Sequence, residues 1–451
     1  MEIAIIGAGY VGLVTAACLA EAGNRVVCID ENVTRIAMTR NGQLPFYEPQ
    51  LAGMVAQQGS SGALTFTDDV RGGTQRADIV FLAVGTPPAS CGRADVSNVL
   101  SCAAQLADVM DHACLLVVKS TVPVGTCENI QDLLEARATF HGEPGRITVA
   151  SNPEFLAEGS AIRDFKSPSR IVIGAPTEHA ASLLRILYAP FDPDGDRLIE
   201  MDVRSAEFSK YASNAMLAAR VSLINELAVI AERLGVDIED VCRVMKTDPR
   251  IGSRYLQPGA GYGGSCLPKD LRALIAMAQD CGEEAPLLRS VDTVNRRQAD
   301  LLVETVVQHF EGSLEGTSVA IWGLAFKPET DDIREAPSVV LIERLLALGA
   351  VVRAYDPAAM PAVSRRIASP ALCLADSARH ACEGADALVV MTPWAEFEFP
   401  DFGWLARTLK TKAVFDARHL YRAGMLEQFG LRHYRLQQGA RPILTSASAQ
   451  E

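Results

Sequence analysis

This sequence predicts an α/β protein with two Rossmann-like, doubly wound domains joined by a central long-helix segment. Three observations carry that expectation. The chain opens on an apolar run, a glycine-rich turn and a helical pattern. A second strand–turn–helix–strand set begins near Ser318. Between the two lies a long helical pattern free of proline and glycine, from about Ser205 to Leu234. With 451 residues the chain can hold two or three domains with ample cores.

Taken in order, Glu2–Ile6 reads as a strand and Gly7-Ala8-Gly9-Tyr10-Val11-Gly12 as a tight turn. A helix follows from Leu13 to Ala22, ended by Gly23, and a strand Arg25–Ile29 finishes at Asp30. This is β-α-β with GxGxxG at the first turn and an acid about twenty residues on. Gly7 makes the turn, Gly9 lets a pyrophosphate approach, and Gly12 lets helix pack on strand. The helix N-terminus then faces the phosphates. Asp30 suits an adenosine ribose diol and repels a 2′-phosphate, which favours NAD over NADP.

Further strands are expected at 77–84, 114–118, 147–150 and 170–173. The first three end in the turns Gly85-Thr86-Pro87, Ser120-Thr121-Val122-Pro123 and Ser151-Asn152-Pro153-Glu154. Ligands of a doubly wound sheet bind beyond the carboxyl ends of its strands, so these turns are candidate contacts. After the long helix, more helices continue to about Phe310 and offer a dimerisation face. The second α/β unit has strands at 318–322, 351–355, 387–391 and 413–415, with a helix at 338–348. The domains expected are 1–203, 204–312 and 313–436, with a disordered tail over 437–451.

Net charge is −13 and spread along the chain, which argues against nucleic acid as partner. Eleven cysteines without CxxC or framework spacing read as reduced, cytoplasmic thiols. The apolar start lacks a basic flank and carries the glycine motif, so it is not read as a signal peptide. No stretch reads as long and apolar enough to span a membrane. No His/Cys/Asp cluster has metal-ligand spacing.

Gly263-Gly264-Ser265-Cys266-Leu267-Pro268-Lys269-Asp270 places a cysteine behind two glycines and ahead of a lysine and an aspartate. A thiolate is the reactive form, and a nearby ammonium favours it. No histidine lies between His179 and His309, so a local Cys-His pair is absent. Cysteine with NAD suggests instead thiolate attack on an aldehyde, hydride loss to a thioester, and hydrolysis to an acid. Such a site needs a base and an oxyanion stabiliser. Lys210 and Asn214, at i and i+4 on one helix face, are candidates, as is Asp270 one turn beyond Cys266. Glu154 and Glu158 flank Phe155-Leu156-Ala157 in a loop, where paired acids also occur as plain solvated surface.

These stretches together resemble the UDP-glucose/GDP-mannose dehydrogenases. The matching motifs are GAGYVG (7–12), VGTP (84–87), STVPVGT (120–126), NPEFLAEG (152–159) and SKYASNA (209–215). PGAGYGGSCLPKD (258–270) and GLAFKPETDDIRE (323–335) complete the set, which reaches nearly to Tyr421. The resemblance implies four-electron oxidation of a sugar C6 alcohol to a carboxylate with two NAD, on UDP-glucose first and on GDP-mannose or a UDP-N-acetylhexosamine as the alternative. It implies Cys266 as nucleophile, with Lys210, Asn214 and Asp270 stabilising the oxyanion and ordering water. Thr121 and Glu158 would position that water, Glu158 as candidate base, and both would also border the cofactor.

By the same resemblance Gly7, Gly9, Val11, Gly12, Asp30, Arg35, Thr86, Lys269 and Arg334 are NAD contacts. Sugar-nucleotide contacts would come from Glu154, Phe155, Leu156, Glu158, Lys210, Asn214, Tyr255, Leu256, Gln257, Pro258, Gly259, Gly263 and Lys327. Arg250 would reach the sugar from a neighbouring subunit, which implies a homodimer through the central helix. The last domain would hold UDP. Two positions depart from the family pattern. Asp416-Ala417-Arg418-His419 stands where members often read Gly-Arg-Asn after the aspartate, keeping Arg418 for phosphate or sugar. Leu267 stands where UDP-glucose enzymes commonly carry phenylalanine.

Overall fold

The computed structural model describes residues 1–141 and 147–436; the tail expected over 437–451 lies outside them. The chain forms two compact units, Met1–Ser213 with Arg272–Gly282, and Asn214–Leu271 with the chain from Glu283 on.

The first unit holds an eight-stranded sheet: β1 Glu2–Ile6, β2 Arg25–Ile29, β3 Leu64–Thr67, β4 Ile79–Leu82, β5 Cys114–Val118, β6 Ile147–Ser151, β7 Ile171–Gly174 and β8 Leu198–Met201. Its order is β3-β2-β1-β4-β5-β6-β7-β8, parallel except where Ser151 meets Gly174. The second unit holds β9 Ser318–Trp322, β10 Val351–Tyr355, β11 Leu372–Leu374, β12 Ala387–Val390, β13 Ala413–Asp416 and β14 Arg432–Arg435. Its order, β11-β10-β9-β12-β13-β14, is parallel throughout and repeats the order of the first six strands. Both are Rossmann sheets.

Alternation along each strand explains the burial. Ile3 and Ile5 of β1 enter one core while Ala4 and Ile6 enter the core on the opposite face. Val319 and Ile321 part from Ala320 and Trp322 in the same way. Sheets covered by helices on both faces need apolar side chains in both directions, so their strands are continuously apolar.

Helix Val203–Arg233 joins the units, running from the first into the second. By length and composition it could cross a membrane, which corrects the sequence expectation that no stretch could. Alanine and serine between scattered charges hide that length from a search for unbroken apolar runs. Of its apolar window 44% is buried within the protein. The first helix also starts earlier than expected, at Tyr10 rather than Leu13, because the chain leaves its extended course right after Gly9, which holds the N-cap position without a side-chain cap.

Candidate active site

In the first unit the turn after β1 is shaped for an anionic dinucleotide. Gly7 has φ +109°, and a Cβ there would lie 2.5 Å from the Ala83 carbonyl oxygen. A Cβ at Gly12 would lie 1.7 Å from the Gly7 carbonyl oxygen, so only glycine lets the helix begin this close to the strand. At Gly9 an added Cβ meets nothing within 4 Å. No side chain caps helix Tyr10–Glu21, which leaves its first amides directed into that open space. Asp30, at the end of β2, is buried; it accepts from the Ala8 amide at 2.7 Å and from Arg35 Nη1 at 2.9 Å. A cradle that side chains would fill, uncapped amides and an acid at the second strand's end all fit NAD. Gly7, Gly9, Val11, Gly12, Asp30 and Arg35 would hold it.

The carboxyl ends of β4, β5 and β6 bring the next candidates together. Thr86 Oγ1 donates to the Thr121 carbonyl at 2.9 Å, tying two of the expected ligand turns. Glu154 is buried and pairs with Lys210 Nζ at 2.9 Å, while its other oxygen accepts the Leu156 amide at 2.6 Å. Burial alone would raise the Glu154 carboxyl, but Lys210, the Leu156 amide and Lys119 outweigh it and hold the group below the usual carboxylate range. Phe155 has the Arg170 guanidinium 3.8 Å above its ring and Lys210 Nζ at 5.4 Å. Glu158 lies in the same loop, and the Tyr10 phenol is pushed up by burial and by the carboxylates of Glu48, Glu158 and Glu154.

In the second unit Cys266 is half-buried and immediately precedes helix Leu267–Asp280. Its carbonyl accepts the Asp270 amide at 2.9 Å, and Ser265 Oγ lies 3.5 Å from its sulfur. Asp270 is 1% exposed; Asn214 Nδ2 donates to one of its oxygens and Lys269 Nζ to the other, both at 2.6 Å. Lys269, expected at the cofactor, is thus the ion-pair partner of Asp270 here.

The loop before Cys266 is welded into this unit. The Gly259 amide donates to Asn225 Oδ1 at 2.8 Å, the Ala260 amide to the Ala417 carbonyl at 2.9 Å, and Gln257 Nε2 to the Arg418 carbonyl at 3.3 Å. A Cβ on Gly263 would sit 2.4 Å from the Glu335 carbonyl oxygen, so its close approach to that segment requires glycine. Leu256 is buried and Tyr255 is exposed at φ +60°. Arg418 donates to the carbonyls of Met391 at 2.8 Å, Gly261 at 2.8 Å and Phe326 at 3.4 Å. Lys327 lies over the Phe326 ring. Arg334 and Arg250 are exposed and pair with Asp332 and Asp248, and the Arg334 carbonyl accepts the Gly264 amide at 2.8 Å.

Models of one family match three successive stretches. Its description reads UDP-glucose/GDP-mannose dehydrogenase family: NAD binding domain over residues 1–192, central domain over 204–297 and UDP binding domain over 320–423. The UDP-glucose 6-dehydrogenase of Pseudomonas aeruginosa is 48% identical over 95% of this chain and 96% of its own. The UDP-glucose 6-dehydrogenase YwqF of Bacillus subtilis is 41% identical over 100% of both. The chain belongs to the UDP-glucose/GDP-mannose dehydrogenase family. Like the family it is an NAD-dependent dehydrogenase. A solved UDP-glucose dehydrogenase from Pyrobaculum islandicum matches with TM-score 0.88 at 36% identity, covering 97% of this chain and 98% of that one.

Several residues that anchor the loops carrying the candidates escaped sequence reading. Glu48 is buried and accepts the Gly159 and Ala161 amides at 2.6 and 2.8 Å, anchoring the loop that carries Glu154 and Glu158. Arg220 donates to the carbonyls of Ile251, Gly252 and Arg254, and Asn225 holds Gly259. Their partners lie tens of residues away, and no local spacing announces them. Only the YEP stretch around Glu48, between two glycine-marked segments, hints at a fixed turn.

Proposed function

We propose that this chain oxidises UDP-glucose at C6 to UDP-glucuronate, with two NAD reduced per turnover, through a thiohemiacetal and a thioester on Cys266. NAD, when bound, accepts the hydride lost from carbon at each oxidation. The observation that carries the reading is Cys266 at the head of helix Leu267–Asp280, four residues from an Asp270 carboxylate fixed by Asn214 and Lys269. A helix N-terminus favours a neighbouring anion, and the thiolate is the nucleophile.

The residue roles follow from hydrogen-bonding capacity. The C6 alcohol gives up a proton as it becomes the aldehyde, and Cys266 sulfur then bonds to the aldehyde carbon. Lys210 and Asn214 are donors for the oxygen that gathers charge in this addition. Once the thiohemiacetal has become a thioester, water adds to the same carbon, the carbon–sulfur bond breaks, and the thiol is regenerated with the carboxylate. Asp270 and Thr121 are suited to hold that water, and Glu158 to take its proton. Glu154 holds Lys210 in place through their 2.9 Å contact. Glu154, Phe155, Leu156, the loop 255–259, Gly263, Lys327 and Arg418 would bind the sugar nucleotide, and Arg334 would reach the cofactor.

UDP-glucose is placed first because the relatives at 48% and 41% identity carry that name. A solved UDP-D-ManNAc dehydrogenase from Pyrococcus horikoshii matches at 28%. The proposed assembly is a homodimer with Arg250 reaching the partner's sugar. Phe208, Met216, Leu223 and Ile230 lie exposed along helix Val203–Arg233, an apolar stripe that a second copy would cover. The cytoplasm, where thiols stay reduced, suits a chain whose eleven cysteines are all unbridged.

The test is NADH formed per mole of sugar nucleotide, with UDP-glucose, GDP-mannose and UDP-N-acetylmannosamine run in parallel. Two NADH with UDP-glucose are expected. One NADH with any of them would sink the thioester route, whereas two with another sugar would overturn the specificity. Cys266→Ser is expected to bind NAD normally and to form no acid; sustained acid production by it would refute the mechanism.

A further inference from the structure

Lys119 follows β5 and is 4% exposed. Its Nζ donates to Asn152 Oδ1 at 3.0 Å and to the Tyr188 hydroxyl at 3.4 Å, and lies 5.9 Å from the ring centroids of Phe165 and Tyr188. Tyr188 donates to the same Asn152 oxygen at 2.5 Å, and Asn152 Nδ2 donates to the Val172 carbonyl at 2.8 Å. Among the described residues no carboxylate is within ion-pair distance of it. A buried ammonium with neutral partners is costly, and an apolar side chain of similar length would fill the space more cheaply. Its place in the fold supplies a reason to keep it. Lys119 stands two residues before Thr121, and Asn152 two residues before Glu154, so one hydrogen bond ties the strand ends that carry both.

We propose that Lys119 is a positioning residue for the oxidation, locking the turns that carry Thr121 and Glu154 through Asn152 and biasing the Glu154–Lys210 pair with its charge. The proposal rests on the function proposed above. The charged groups facing Lys119 are Glu154, from the loop after β6, and Lys210, from helix Val203–Arg233. Tyr188 faces it from helix Glu178–Tyr188, its phenol pushed up by burial; Phe165 and Asn152 are uncharged. Burial pulls the Lys119 ammonium down to about 8, Glu154 opposing and Lys210 assisting. Lys119 therefore sheds its charge as pH rises through about 8, and Glu154 then keeps Lys210 and Arg170 as cationic neighbours.

The experiment compares wild type, Lys119→Met and Asn152→Asp over pH 6.5 to 10. Lys119→Met is expected to lower kcat roughly 10- to 100-fold with NAD affinity unchanged, since misplacing a reacting group by an ångström costs about that much. The wild-type kcat should show an inflection near pH 8 that Lys119→Met lacks. Asn152→Asp, which sets a carboxylate against the ammonium, should move it to higher pH. A readout independent of turnover is thermal unfolding. The unfolded chain holds a lysine proton up to about pH 10.4, while folded Lys119 has lost it above about 8. Raising pH through that window therefore stabilises wild type relative to Lys119→Met. A Lys119→Met enzyme within twofold of wild-type kcat, an unmoved inflection in Asn152→Asp, or a pH-independent gap in Tm would each overturn the role. Wild type that oxidises no sugar nucleotide would overturn the proposed function, and this role with it.

Discussion

The two Rossmann sheets share strand order and the same opening turn, yet the acid at the end of the second strand does different work in each. The Gly7 amide donates to the Ile29 carbonyl at 2.7 Å, and the Gly323 amide to the Tyr355 carbonyl at 2.8 Å. Both glycines have positive φ, +109° and +90°. Asp30 then accepts from two backbone amides and from the half-exposed Arg35, at an uncapped helix that starts at Tyr10. Asp356 accepts from the amides of Leu324, Ala325, Ala358 and Ala359 and from Trp394 Nε1, five donors in all. The helix that follows β9 begins only at Pro337, after the stretch 323–336. One carboxylate retains capacity for a ribose diol and the other is consumed by the fold. A shared topology can thus bind a dinucleotide at one copy and hold its own loop at the other.

The largest effect expected from this contrast is on stability. Asp356→Ala leaves five donors, four of them buried, without their acceptor and should cost about 3–5 kcal/mol in urea unfolding. Asp30→Ala should cost no more than about 1–2 kcal/mol. Equal shifts in the two variants would break the comparison.

Next in size is ligand affinity. Asp30→Ala should weaken NAD binding about 10- to 100-fold, the worth of one or two charge-assisted hydrogen bonds. UDP-sugar affinity should be unchanged in calorimetric titration. Parallel loss of both ligands would remove Asp30 from the ribose. The smallest effect belongs to Arg35→Met. Its 2.9 Å pair with Asp30 is partly solvated, so a two- to fivefold loss of NAD affinity is expected, about 0.5–1 kcal/mol. An effect as large as that of Asp30→Ala would mean that Arg35 itself carries the contact.

The residues of the chain dictated the central strands, the Gly7–Gly12 turn, Asp30 and the place of Cys266, because each depends on near neighbours. A glycine turn, a helix start and an apolar run all form within a few residues. Four strands went unforeseen, β3, β8, β11 and β14, and they are the four sheet edges. Edge strands are covered less completely, and β14 reads Arg-His-Tyr-Arg, so the continuous apolar run is missing. Tertiary structure alone joined Lys210 to Glu154, Asn214 to Asp270, Glu48 to the loop after β6 and Lys119 to Asn152. Those partners lie between 33 and 113 residues apart. Bringing them together requires the register of a whole sheet and the run of a 31-residue helix, which no local pattern encodes.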